Sequence, residues 1–206
     1  MSFNLSWIAF QTTQHAPLLE AMRLEPTGET GNWGDADDWS LLELDSGWSI
    51  LISKEELFDN VEEAIFARRS AEGALHWGYA GDVAMASCLF WYEGGRKQWS
   101  FEWDGSEGAA GAVPHLTGLL PDFAQKVLEE CRRDQDIEDA DTSETFKVDH
   151  MFDIPARITE HLTGYRYDTC LEDGRDDRCV YLRRLPAQRP VKSGWAKLNW
   201  SSGRKG

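Results

Sequence analysis

The chain has 206 residues, 41% of them hydrophobic and 12% aromatic, which is enough to bury a sizeable core and excludes a mainly disordered polymer. Its net charge is −15, and residues 1–145 hold 28 acids against 9 bases, so a body that wraps nucleic acid is excluded. The longest apolar runs, such as GWSILIS at 47–53, are too short for a membrane-spanning helix, and four Cys do not make a disulfide scaffold.

Taken in order, LSWIAFQT at 5–12 reads as a strand and APLLEAMRLEP at 16–26 as a short helix ended by Pro26. The Gly- and Asp-rich TGETGNWGDADDW at 27–39 reads as a loop. SLLELDSGWSILIS at 40–53 has the pattern of two strands joined through Asp45, Ser46 and Gly47. Leu57, Val61, Ile65 and Arg68 recur at helical spacing and predict an amphipathic helix over 54–70.

ALHWGYA at 74–80 is a further strand, and ASCLFWYEGGRKQWSFEWDG at 86–105 predicts a hairpin turning at Gly94 and Gly95. Its second strand sets Trp99, Phe101 and Trp103 on one face and Ser100, Glu102 and Asp104 on the other. Leu120, Phe123, Val127 and Cys131 predict a helix over 115–133, and the polar 132–145 a connection. In FDIPARITEHLTGYRYD, Asp153 predicts an N-cap, Pro155 a first turn and Gly164 a left-handed C-cap, with Ile158 and Leu162 facing the core. Tyr165 and Tyr167 are expected to leave that helix as a strand. YDTCLED at 167–173 and RCVYLRRL at 178–185 then predict strands around a turn at Gly174. The sum is an α+β fold with a mainly antiparallel sheet packed by several helices. One acidic domain is expected over 1–180, with a basic, Pro- and Trp-containing tail over 181–206.

Chemical signatures are sparse. A Gly-rich phosphate loop, a GxSxG elbow and an HExxH helix are all missing from the sequence, and Ser106 in DGSEG is misplaced for a nucleophile. None of His15, His76, His115, His150 and His161 pairs with a Cys or another His at ligand spacing. Asp149, His150 and Asp153 form a conceivable metal cluster, but helix capping by Asp153 is the preferred reading. The segment from Asp134 and Asp136 starts like a calcium loop. It breaks at Asp139, where Gly is needed, and at Thr145, where a bidentate carboxylate is needed. Cys170 and Cys179 are expected as two packed thiols, a cross-hairpin pair being the alternative. No metal and no cofactor are therefore expected.

Two acidic–aromatic clusters remain as candidate partner-binding residues. Trp33, Asp35, Asp37, Asp38 and Trp39 lie in the predicted loop, while Glu102, Asp104 and Glu107 end a strand whose other face is aromatic. Trp anchors ringed by acids suit a basic partner; a merely solvated surface is the competing reading.

SWIAF, LDSGWSILIS, SCLFWYEGGRKQWSFEWDG, HLTGLLPDF and FDIPARITEHLTGYRYD together resemble a widespread group of uncharacterised bacterial cytosolic proteins, many of them immunity proteins of secreted or contact-dependent toxins. The resemblance covers about residues 5–168 and leaves the basic tail outside it. It implies neutralisation of a toxin by stoichiometric binding and brings no catalytic residues; the acidic field leads to the expectation that the toxin domain bound is basic. The N-terminal MSFNLSWIAFQTTQ, without the basic start of a secretory signal, likewise leads to the expectation of a cytoplasmic protein with no membrane partner. Two alternatives stay open. One is a small-substrate enzyme using His76 or His115 with carboxylates. The other is a nucleic-acid mimic or regulator, with any nucleic-acid contact made through the tail, where Trp195 and Trp200 interleave with basic residues.

Overall fold

The computed structural model describes residues 4–54, 60–106, 113–141, 148–169, 174 and 178–186. Expectations that involve Leu57, Glu107, Thr145, Cys170 or the chain after residue 186 lie outside the described residues.

Among the described residues, nine strands form one sheet in which all pairings are antiparallel. They are β1 (Asn4–Gln11), β2 (Leu24–Gly31), β3 (Trp39–Glu43), β4 (Trp48–Ser53), β5 (Leu75–Gly81), β6 (Ala86–Glu93), β7 (Arg96–Asp104), β8 (His115–Gly118) and β9 (Cys179–Arg184). Their spatial order is β2-β9-β3-β4-β1-β5-β6-β7-β8. The helices are α1 (His15–Met22), α2 (Asn60–Arg69), α3 (Asp122–Ala140) and α4 (Ile154–Thr163). This is the α+β architecture that the mixed pattern predicts. Among the described residues, no helix is long and apolar enough to cross a membrane.

Both faces of the sheet are covered, which explains the nearly continuous apolar run of β1 at its centre. On one face Ile8, Phe10, Leu41, Leu51, Leu75, Trp77 and Tyr92 pack with Leu18, Leu19 and Met22 of α1 and Phe66 of α2. On the other, Leu89, Trp99, Phe101 and Trp103 pack with Val127, Leu128 and Cys131 of α3 and Ile154 and Ile158 of α4. The alternation read in β7 is thus the alternation observed, with Phe123 and Leu162 half-buried at the edge of the same core. Trp7, Ile50, Ile52 and Tyr165 extend that layer.

Several boundaries differ from expectation. α1 stops at Met22 because Arg23 turns left-handed at φ 60°, and Pro26 lies within edge strand β2, where a missing N–H is tolerated. The predicted loop is strand as far as Gly31, followed by a 3-10 turn at Trp33–Asp35. His115–Gly118 is a strand rather than the start of a helix. α3 runs on to Ala140 and absorbs most of the predicted acidic connection. In its last turns Gln135 bonds Asp139 at 3.0 Å, an i,i+4 pair that supports helix without any apolar stripe. Tyr165 and Tyr167 do not enter a strand; Tyr167 and Asp168 form a turn.

α4 has its left-handed C-cap at Gly164, φ 79°, and a proline in its first turn. Asp153, however, makes no cap bond and instead pairs with Arg166 at 3.1 Å and Arg157 at 3.7 Å. The entry to α4 is held by Asp149, whose Oδ1 accepts the N–H groups of Met151 and Phe152, each at 3.0 Å. Its Oδ2 accepts the Trp103 indole N–H at 2.9 Å. The boundary expected at residue 180 falls inside β9, which pairs with β2 on one side and β3 on the other.

Candidate functional site

The register places the two acidic clusters on one line across the sheet. Trp39 pairs with Ser53, Ser53 with Ser6, Ser6 with Tyr79, Tyr79 with Cys88, Cys88 with Glu102 and Glu102 with His115. Paired residues share a face. Trp39 and Glu102 are five strand spacings apart, about 24 Å at about 4.8 Å per strand. The clusters are not one site, but they lie on the same rim of one rigid sheet.

At the first cluster the predicted loop is tied down by two distant side chains and one distant backbone N–H. Tyr181 Oη donates to the Asn32 carbonyl at 2.9 Å, and Lys54 Nζ donates to the carbonyls of Gly34 and Ala36. Asp38 Oδ2 accepts the Arg184 N–H at 3.0 Å. Asn32 caps the short turn by accepting the Gly34 N–H at 2.8 Å. Asp35 and Asp37 stay exposed, Asp38 is half-buried, and Trp33 is half-buried against the Trp7 layer. Trp39 is the departure from expectation. Its side chain is 0% exposed, and the Arg184 guanidinium lies 5.5 Å from its ring centre. It therefore offers no surface anchor. Arg184 also bonds Glu62 at 3.0 Å, so the first basic residues of the expected tail are built into the domain.

At the second cluster Glu102 and Asp104 line an open groove of about 440 Å³ with Tyr79, Ala86, Cys88 and His115. His115 Nδ1 stands 3.3 Å from Glu102 Oε1. Hydrogen bonds from Ser106 hold the Asp104 carboxyl below the usual carboxylate range, so it stays charged. Burial, then the nearby Glu102 charge, pushes the Cys88 thiol up, so it stays protonated and is a poor nucleophile. Sequence reasoning names His115 as a candidate base but places it at the start of a helix, because 115–133 carries a helical period; the strand that sets it beside Glu102 was hidden.

His76, the other candidate base, is fully buried, and burial lowers its pKa to about 3. Thr159 Oγ1 donates to the Pro155 carbonyl at 2.9 Å and accepts the Trp7 indole N–H at 2.9 Å. The His76 Nε2 contact to that oxygen, 3.0 Å, is therefore a donation from a neutral ring. The ring stacks on Trp91 at 5.7 Å between centres, with Trp48 at 5.9 Å. His76 pins α4 to the sheet and has no route to an external substrate. Among the described residues, no group of three His, Cys, Asp or Glu side chains is arranged to hold a metal ion. Asp149 is occupied with the α4 entry and Trp103, and Asp134 and Asp136 lie on a helix.

Comparison with protein-family models, with curated proteins and with solved structures finds no match to this chain.

Proposed function

We propose that this chain is an immunity-type binding protein that neutralises a cognate bacterial toxin by forming a stoichiometric complex with its basic domain in the cytoplasm. The observation that carries this reading is the pair of acidic patches, Asp35–Asp38 and Glu102–Asp104, on one rim about 24 Å apart. A partner face of standard size, about 800 Å² on each side, spans that distance. Backbone carbonyls and side chains fix both patches before binding, so little ordering entropy is spent on association. Trp33, half-buried beside Asp35, is the remaining aromatic candidate for the first contact.

The test is titration of the protein with the toxin domain encoded beside its gene, read as heat and as toxin activity. One-to-one binding that weakens with salt and abolishes toxicity supports the reading. Absence of binding to that domain contradicts it. A second reading draws on the groove itself, where His115 beside Glu102 forms an open His–carboxylate pair suited to small-substrate chemistry. It requires turnover that is lost in His115→Ala while binding of the toxin domain is unaffected.

A further inference from the structure

The two edges of the sheet are not alike. Edge strand β2 is blunted: it contains Pro26, Gly28 at φ 89°, a register shift between Pro26 and Thr30, and the acids Glu25 and Glu29. Edge strand β8 has no proline, acid or register shift within its four residues, although it ends at Gly118 with φ 71°. It pairs with β7 alone among the described strands and so presents an unpaired row of backbone groups on its outer side. Apolar side chains cluster around it: Val113 is 81% exposed, Leu119 85% and Leu116 37%. Its two faces differ as well. Leu116 shares a face with Phe101, whereas His115 shares one with Glu102 and opens on the groove that also holds Asp104.

From this we infer that β8 is a docking edge that takes an extended segment of the partner as a tenth strand, with basic and apolar residues alternating. The period of two sends every second side chain of an added strand to the groove face, where Glu102 and Asp104 favour Lys or Arg. The intervening side chains fall beside Leu116 and cover it. Glu102 lies two strand spacings from the added strand, about 10 Å, a gap that a long basic side chain and the Glu102 stem close together across His115. A second copy of this chain is the poorer occupant, because each copy brings a net charge of −15 and an acidic groove to the contact.

The inference deepens the proposed function and takes the basic character of the partner from it, but its test needs no toxin. A synthetic peptide of alternating Lys and Val is added to the full-length protein, and backbone amide exchange is followed by NMR. A second peptide of the same sequence is N-methylated along one edge, so that its charge is kept and its strand donors are removed. The inference expects slowed exchange at His115–Gly118 with the first peptide and binding about tenfold weaker with the second. Leu119→Arg, at a site too exposed to disturb folding, is expected to weaken the first peptide as well. Equal affinity for the two peptides, protection on β2 instead, or no binding at millimolar peptide would each overturn it. So would β8 protection that grows with protein concentration alone alongside a sedimenting dimer, because a second copy would then hold the edge.

Discussion

At the scale of single residues, His76 couples stability to pH. Its ring is enclosed by Trp48, Trp91 and Thr159, so a proton on it finds neither water nor an anion. The unfolded chain binds that proton near the ordinary histidine value of 6.5 and the folded chain only at about 3, so below about pH 6.5 protonation favours the unfolded state. Stability is complete above that pH and falls by about 1.4 kcal/mol per pH unit as the pH drops towards 3. Urea unfolding at several pH values should show this slope reduced by one proton in His76→Phe; an unaltered slope would mean that another group titrates. Trp39 makes a second residue-scale case. It sits under Leu182 and Arg184, so Trp39→Ala should cost about 3–5 kcal/mol of stability and show as a lowered denaturation midpoint. Its burial was illegible because both partners lie more than 140 residues away, while its immediate neighbours are the Gly and Asp residues of a loop.

At the scale of elements, contrasting glycines show how strand and helix are fixed. A Cβ on Gly78 would stand 2.3 Å from the Trp7 indole, which lies over that position of β5 and reaches Thr159 on α4. A Cβ on Gly164 would meet nothing within 4 Å, so only its left-handed backbone matters. Gly78→Ala is therefore expected to cost about 1–3 kcal/mol through overpacking, and Gly164→Ala about 1–2 kcal/mol through backbone strain alone. Thermal unfolding of the pair checks this. These elements also show what could be read in advance. The β6–β7 hairpin was legible because Trp99, Phe101 and Trp103 alternate with polar residues around a Gly-Gly turn, and α4 because proline and glycine mark both its ends. β2 was masked by its own Pro and Gly residues. The last turns of α3 were masked because a polar i,i+4 pair, Gln135 with Asp139, supports them rather than an apolar stripe. β8 was masked because it is four residues long and lies next to a helical period. The acids of the candidate site and His115 as a candidate base were therefore visible, while the strand edge that brings them together was not.

At the scale of the whole molecule, acidic charge is arranged along one rim of the sheet. Residues 1–145 carry 28 acids and 9 bases, and the basic residues Arg183 and Arg184 are spent on internal pairs with Glu25 and Glu62. The field outside the rim is accordingly negative and should act mainly on the rate of encounter. Rim charges are screened over about 8 Å at physiological ionic strength, so their effect must shrink with added salt. Glu102 and Asp104 are solvent-facing residues near the end of β7, so their replacement leaves the core intact. The direct measurement is the association rate of the Glu102→Lys, Asp104→Lys double variant with the product of the neighbouring gene, the partner the proposed function requires, at low and at physiological salt. The account predicts association about tenfold slower at low salt, a flatter salt dependence and a dissociation rate changed much less. An association rate equal to that of the unmodified protein at both salt concentrations would contradict it.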